Sequence, residues 1–233
     1  VRPVDPRRRL AVRIALLLTA LGVAAWVVWG SPLLAVSSVR VDGAGSLTAD
    51  QVRSAAGITD GTPLLRVDVD AAAARVARLP QVADVQVTRG WPRTVVITVE
   101  ERVPVAVVEQ AGTRSLVDAG GVLFDTVTGE PPAGVVPLAV ATPGPEDAAT
   151  RAGLSALGEL PRDVRTQLAS VAATTGNDVT LTLLDGTTVL WGSAAESAQK
   201  GDVLVALLGQ LASGALEPAT TIDLSAPSAV VLR

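Results

Sequence analysis

The chain has 233 residues with 19 basic and 23 acidic side chains, 2% aromatics, and no Cys, His, Met or Tyr. Thiolate nucleophiles, disulfides, Ser/His/Asp triads and zinc sites built on imidazole or sulfur are therefore excluded, and only oxygen ligands remain for a hard cation. Arg2, Arg7, Arg8, Arg9 and Arg13 face only Asp5 in the first thirteen positions, so the rest carries 14 basic against 22 acidic residues and would repel a phosphate backbone.

The length suits two small domains of roughly 100 residues each. With Val1 leading and no Met, the sequence is either a fragment or one read literally from an alternative start codon. Its Ala, Val and Arg usage beside a single lysine, Lys200, suggests a GC-rich genome.

No charge occurs from Ile14 to Val39, and Ile14 to Gly30 is apolar throughout. About 20 apolar residues span a bilayer core, with Arg13 reaching the headgroups and Trp26 and Trp29 in the interfacial belt. This predicts a cytoplasmic arm over 1–13 and a single transmembrane anchor over 14–34, with the C-terminal bulk outside by the positive-inside rule. A cleavable signal peptide shares the basic and apolar regions, but this run is longer than a typical h-region and ends in Trp-Val-Val-Trp, with only Ala35 and Ser37 as a weak cleavage match. Gly22, Ala25 and Gly30 do not form a clean face for helix pairing.

Val36 to Val41 has strand composition and is broken by Asp42-Gly43-Ala44-Gly45. Thr48-Ala49-Asp50-Gln51 is a capping box opening a short helix that Gly57 ends. Asp68 or Asp70 caps a second helix, stopped by Pro80, and strands follow at Val82 to Arg89 and Thr94 to Glu100 around Gly90-Trp91-Pro92-Arg93. The order β-α-α-β-β over residues 36–100 predicts helices layered on a three-stranded sheet.

Residues 101–233 read as a mixed sheet with flanking helices. Strands are expected at Val103 to Gln110, Ser115 to Asp118 and Val122 to Thr126, then an extended piece from Val135 to Val140 and a helix from Glu146 to Leu160. A meander over Leu168 to Thr175, Val179 to Leu184 and Thr187 to Trp191 turns at Asp185-Gly186. Ser193-Ala194-Ala195-Glu196 is a second capping box, before a helix with the stripe Val203, Leu204, Leu207, Leu208 and Leu211 that ends near Gly214. Strands at Thr220 to Ser225 and Ser228 to Leu232, parted by Ala226-Pro227, close the series.

This layout resembles the FtsQ/DivIB family of bacterial division proteins, of the actinobacterial type. The strings that carry the resemblance are Val39-Arg40-Val41-Asp42-Gly43, Leu79-Pro80-Gln81-Val82, Val87 to Pro92 (VTRGWP), Val99 to Ala106 (VEERVPVA) and Leu116 to Phe124 (LVDAGGVLF). Trp191-Gly192-Ser193 with Lys200, and Ile222 to Pro227 (IDLSAP), complete the set over residues 10–233. The arm before the anchor is short for the family. The resemblance implies an anchored POTRA domain over 36–100 followed by a β domain over 101–233. It also implies a non-enzymatic scaffold at the septum, with FtsB-like and FtsL-like chains and other membrane proteins of the division complex as partners. It implies no cofactor, nucleic acid or small-molecule substrate.

The expected partner site is Ser228, Ala229, Val230, Val231 and Leu232, an apolar strand at the sheet edge with charge only at Arg233. An edge without charge, proline or bulge is a liability or a docking site, and the resemblance favours docking of an FtsB-like segment as a further strand. Asp223, Ser225 and Lys200 are expected at its rim. A rival from another class is an anchored hydrolase using Ser193 or Ser197 with a desolvated Lys200; against it, Ser193 reads as a helix cap and Lys200 as a surface or partner-facing charge. A second rival, an export or outer-membrane assembly factor, lacks a barrel-length series of strands. Asp68 and Asp70 are too few for calcium and read as helix caps. Glu100 and Glu101 point to opposite faces of a strand, so with Arg102 they suggest a domain-junction ion pair rather than acid/base chemistry. Trp91 is expected to cover the edge of the small sheet, with ligand stacking as the alternative.

Overall fold

The computed structural model describes residues 6–30, 34–226 and 228–233. The chain is a mixed α+β protein in two compact units, Val1–Glu101 and Arg102–Arg233.

The first unit opens with α1, Pro6–Gly30, which takes in the arginine run expected in a separate arm. A proline is tolerated in the first turn of a helix, where its missing N–H has no partner to lose. Of the expected anchor over 14–34, the side chains at 24, 25 and 27–30 and all of residues 31–33 lie outside the described residues. Among the described residues, no helix is long and apolar enough to cross a membrane.

Strand β1 is Ser38–Asp42, two residues later than predicted at its start. Ala35 bridges Pro63, and the Val36 amide donates to Thr62 O at 2.9 Å, so these residues pair with the 61–63 loop instead. Gly43 follows at φ +84°, where a Cβ would stand 2.2 Å from Val99 O; no side chain fits there. Helix α2, Ala49–Ala56, starts on the predicted capping box: the Gln51 amide donates to Thr48 Oγ1 at 3.2 Å and the Thr48 amide to Gln51 Oε1 at 2.8 Å. After a 3-10 turn at Leu64–Arg66, helix α3, Val69–Val76, is capped by Asp68, whose carboxylate accepts from the Ala71 amide at 2.9 Å.

β2, Val82–Gly90, and β3, Thr94–Glu101, complete a sheet of order β1-β3-β2, with β1 parallel and β2 antiparallel to β3. Alternation places Val95, Ile97 and Val99 on one face, where they bury against Val52, Ala56, Ala72 and Val76 of the helices. Trp91 corrects the expectation: it is 57% exposed. It sits in the hairpin turn, past the alternating positions that the helices cover, so the pleat no longer directs it inward.

The second unit runs through β4 (Ala106–Gln110), β5 (Thr113–Val117), β6 (Leu123–Thr126), β7 (Val136–Ala139) and α4 (Ala148–Glu159). It continues with α5 (Arg162–Arg165), β8 (Leu168–Thr175), β9 (Asp178–Leu183), β10 (Thr188–Gly192), α6 (Ser197–Ala212), β11 (Thr221–Asp223) and β12 (Val231–Leu232). The nine strands form one sheet of order β12-β11-β10-β9-β8-β7-β4-β5-β6. β7 joins its two halves through parallel pairs, Ala106 with Val136 and Leu138 with Val171. One core runs beneath the sheet, from Val108, Leu138 and Leu157 through Leu181 and Val189 to Trp191, Leu204 and Ile222.

Where the two units meet in sequence, Glu101 is held by hydrogen bonds from the loop that follows β1. Glu101 accepts from the amides of Gly45, Ser46 and Leu47 at 2.7, 2.9 and 3.0 Å and from Ser46 Oγ at 2.5 Å. Burial would raise its pKa, but these donors stabilise the carboxylate and hold the pKa at about 2. Arg102 pairs with Asp118 at 2.6 Å, and Asp118 also closes its own turn by accepting from the Gly120 and Val122 amides at 2.9 Å.

Candidate partner-binding edge

The site is built on β10, α6 and the two short strands that follow. Trp191 and Lys200 are both buried, at 0% and 1% exposure, and Lys200 Nζ donates to the carbonyls of Trp191 and Ser193, each at 2.9 Å. The ammonium also lies 5.9 Å from the centroid of the Trp191 ring. Burial lowers the Lys200 pKa, and the nearby Glu196 carboxylate opposes that shift. Trp191 Nε1 donates to Ser197 Oγ at 3.1 Å, and that hydroxyl donates to Ala194 O at 2.9 Å.

Two expectations are corrected here. Lys200 is not a surface or rim charge, because the single helix position it occupies points at the carbonyls that end β10. Ser193 is not the helix cap: α6 begins at Ser197, after Glu196 in the left-handed region at φ 56°. No Ser/Lys pair forms among the described residues, since the lysine protons go to backbone carbonyls and the Ser197 hydroxyl to Ala194.

Gly192, between the two clamped carbonyls, has φ +73°, and a Cβ there would meet Ser225 Cα at 3.2 Å. The end of β10 therefore lies directly against the exit of β11, where the Leu224 amide donates to Leu190 O at 2.8 Å. Asp223 Oδ1 accepts from Ser225 Oγ at 2.7 Å and from its amide at 3.0 Å. Those two donors, more than the charge of Arg233, hold the Asp223 pKa below the usual carboxylate range.

β12 pairs antiparallel with β11, Ile222 with Leu232 and Asp223 with Val231. Thr221 and Arg233 exchange both amide–carbonyl bonds at 2.9 Å. Partners alternate along an antiparallel ladder, so the amide and carbonyl of Leu232 point away from β11. Among the described residues no strand lies beyond β12. The strand is shorter than the predicted Ser228 to Leu232: Ser228 and Ala229 lie in a turn in which the Ala229 amide donates to Ala226 O at 2.9 Å, and Pro227 lies outside the described residues. Val230 and Leu232 pack partly against the core while Val231 is exposed.

The opposite edge is blunted. β6 pairs with β5 through a register shift between Ser115 and Val117, and Asp125 stands at φ 47°, so its outer face is kinked.

Comparison with known proteins assigns both units. Residues 34–102 match the POTRA domain, FtsQ-type, and residues 106–225 match the C-terminal domain of cell division protein FtsQ/DivIB. The chain is 39% identical to the cell division protein FtsQ of Mycolicibacterium smegmatis over 93% of its own length and 62% of that protein's. It is 38% identical to that of Mycobacteroides abscessus, over 94% of the chain and 66% of the relative, and 40% identical to that of Streptomyces bingchenggensis, over 96% and 86%. The chain thus spans less than two thirds of the two mycobacterial relatives. A POTRA domain joined to this β domain defines a bacterial cell-division protein. The chain belongs to the FtsQ/DivIB family.

Proposed function

We propose that this protein is an anchored, non-catalytic scaffold of the division complex that holds an FtsB-like, FtsL-associated partner by strand addition at β12. The observation that carries the reading is the contrast between the two sheet edges. β12 presents the outward amide and carbonyl of Leu232 between Val231 and Arg233 with no shift of register against β11, whereas β6 is kinked at Asp125. Main-chain bonds to β12 supply affinity, and the alternating side chains supply specificity. Asp223 and Ser225 stand on the neighbouring strand, and Lys200 acts from beneath the sheet.

In this reading α1 is the single-pass membrane anchor, with the N-terminus inside and both domains outside the cytoplasm at the septum. Its support is the uncharged run from Ile14 onward and the exposure of Leu16, Leu17, Leu18, Leu21 and Trp26, which find no cover among the described residues. The POTRA domain recruits further membrane proteins of the complex.

The test is in-cell photo-crosslinking from Val231, with Asp125 on the blunt edge as the control. A covalent adduct with a small anchored coiled-coil division protein from Val231 alone is expected. Equal yields from both positions, or none from either, would place the interface elsewhere.

A further inference from the structure

Trp91 is 57% exposed in its hairpin turn, and its position along the chain is tied to α1. The Arg93 carbonyl, in the same hairpin turn, accepts from the Ser37 amide at 2.9 Å, and Arg93 Nε donates to Ala35 O at 3.2 Å. Ala35 is five residues past Gly30, where α1 ends, and five residues reach at most about 18 Å even fully extended. Trp26, itself exposed, is a further four residues back, about 6 Å along a helix. The chain therefore holds Trp26 within about 24 Å of Ala35, to whose carbonyl Arg93 of the hairpin tip donates.

The surroundings of the tip match the chemistry of a lipid headgroup layer. Trp91, Pro92 and Arg93 are all exposed, and so is Arg66 of the 3-10 turn. That turn is held to the same end of the sheet, because Arg89, two residues before Trp91, donates to Leu64 O at 3.1 Å and to Val67 O at 2.7 Å. The acidic groups between Thr59 and Val76 are Asp60, Asp68 and Asp70, of which Asp68 is engaged in capping α3 and Asp70 lies in the first turn of that helix. An amphipathic indole flanked by guanidinium groups is the pattern that settles at a membrane–water interface, the ring among the upper acyl chains and the cations on phosphates.

We propose that the Gly90–Arg93 hairpin tip is a second membrane contact, with Trp91 seated in the lipid interface and Arg93 and Arg66 on anionic headgroups. It rests on α1 being the membrane anchor. Two contacts, α1 and the tip, would fix the orientation of the POTRA domain on the bilayer, where a single tether would leave it free to swivel.

The test uses the full chain in phosphatidylglycerol/phosphatidylcholine vesicles carrying a nitroxide quencher either at the headgroup or deep in the acyl region. The protein has four tryptophans and no tyrosine, so the emission is separable. W26F/W29F reports Trp91 together with buried Trp191; W26F/W29F/W91F reports Trp191 alone and sets the unquenched baseline; W91F reports the anchor. Loss of emission from W26F/W29F beyond that baseline, stronger with the headgroup quencher than with the deep one, is expected. Quenching of W91F without any for W26F/W29F overturns the inference, leaves the anchor intact and frees the tip for a protein partner. Quenching of W26F/W29F without any for W91F keeps the tip on the lipid and removes the anchor. No quenching in either overturns both.

Discussion

Lys200 Nζ donates to the carbonyl of Trp191 at 2.9 Å, from one helix to the end of one strand across the core of the β domain. With its second bond to Ser193 O it satisfies both carbonyls that flank Gly192, and Gly192 is where β10 abuts the exit of β11. The single lysine of the chain thus sits beneath the strands that carry the candidate docking edge.

Lys200→Met keeps the length of the side chain and removes the donor. Each buried carbonyl left without a partner costs about 1–3 kcal/mol, so the variant should unfold at a clearly lower denaturant concentration. Amide exchange at Leu224 and Arg233, whose amides donate to Leu190 O and Thr221 O, should rise more than at Val95 in the other unit, as mass spectrometry of exchanged peptides would show. Because burial lowers the lysine pKa from its ordinary 10.5, the charged form carries a penalty at neutral pH, which is relieved as pH rises through the folded pKa toward 10.5. In Lys200→Met that rise in stability should vanish.

Glu101→Gln tests the amide nest at the end of β3. The carboxylate has a folded pKa of about 2 against an ordinary 4.5, so its stabilisation is present above 4.5 and is lost as pH falls from there through 2. Glu101→Gln should lose about 1–2 kcal/mol at pH 7 and flatten the acid limb of the stability profile between those values. Unchanged acid unfolding would show that the nest contributes nothing.

Gly43→Ala meets both a left-handed backbone and the Val99 carbonyl 2.2 Å from its new methyl. Backbone strain of this kind alone costs about 1–3 kcal/mol. Gly45→Ala is the matched control, since its Cβ would have nothing nearer than Glu101 Oε2 at 3.7 Å. Thermal unfolding should separate the two variants by several degrees, with the Gly45 change close to the parent.

Two proline variants of β12 separate docking from folding. Leu232→Pro removes an amide that points away from β11, so the β domain should keep its melting temperature while partner binding falls. Val231→Pro removes an amide directed at Asp223 and should loosen β12 itself, seen as faster exchange along β11. Normal partner binding by a well-folded Leu232→Pro protein would eliminate strand addition at this edge.

Local chemistry made much of this protein readable in one dimension. The Thr48 capping box and the Asp68 cap depend on residues three positions apart, and both form as their patterns require, whereas the two-residue turn expected at Asp185-Gly186 takes in Leu184 as a third loop residue, because the Leu183 amide donates to Thr187 O at 2.9 Å. The apolar alternation of Thr94 to Glu101 likewise sets which face of the small sheet is buried, because side chains on a strand alternate strictly. Position relative to distant elements was settled only in three dimensions. Lys200 reads as a surface charge because lysines usually are, and it is buried because two carbonyls brought together at the end of β10 satisfy its protons. Trp91 reads as a cover for the edge of the small sheet, yet it is 57% exposed in the turn it occupies. The place of β7 between β4 and β8, which makes one nine-stranded sheet from two series of strands, rests on parallel pairings across tens of residues that no local pattern encodes. The same holds for the candidate docking edge: its composition was visible, but its outward amide is defined by the register against β11, a tertiary contact.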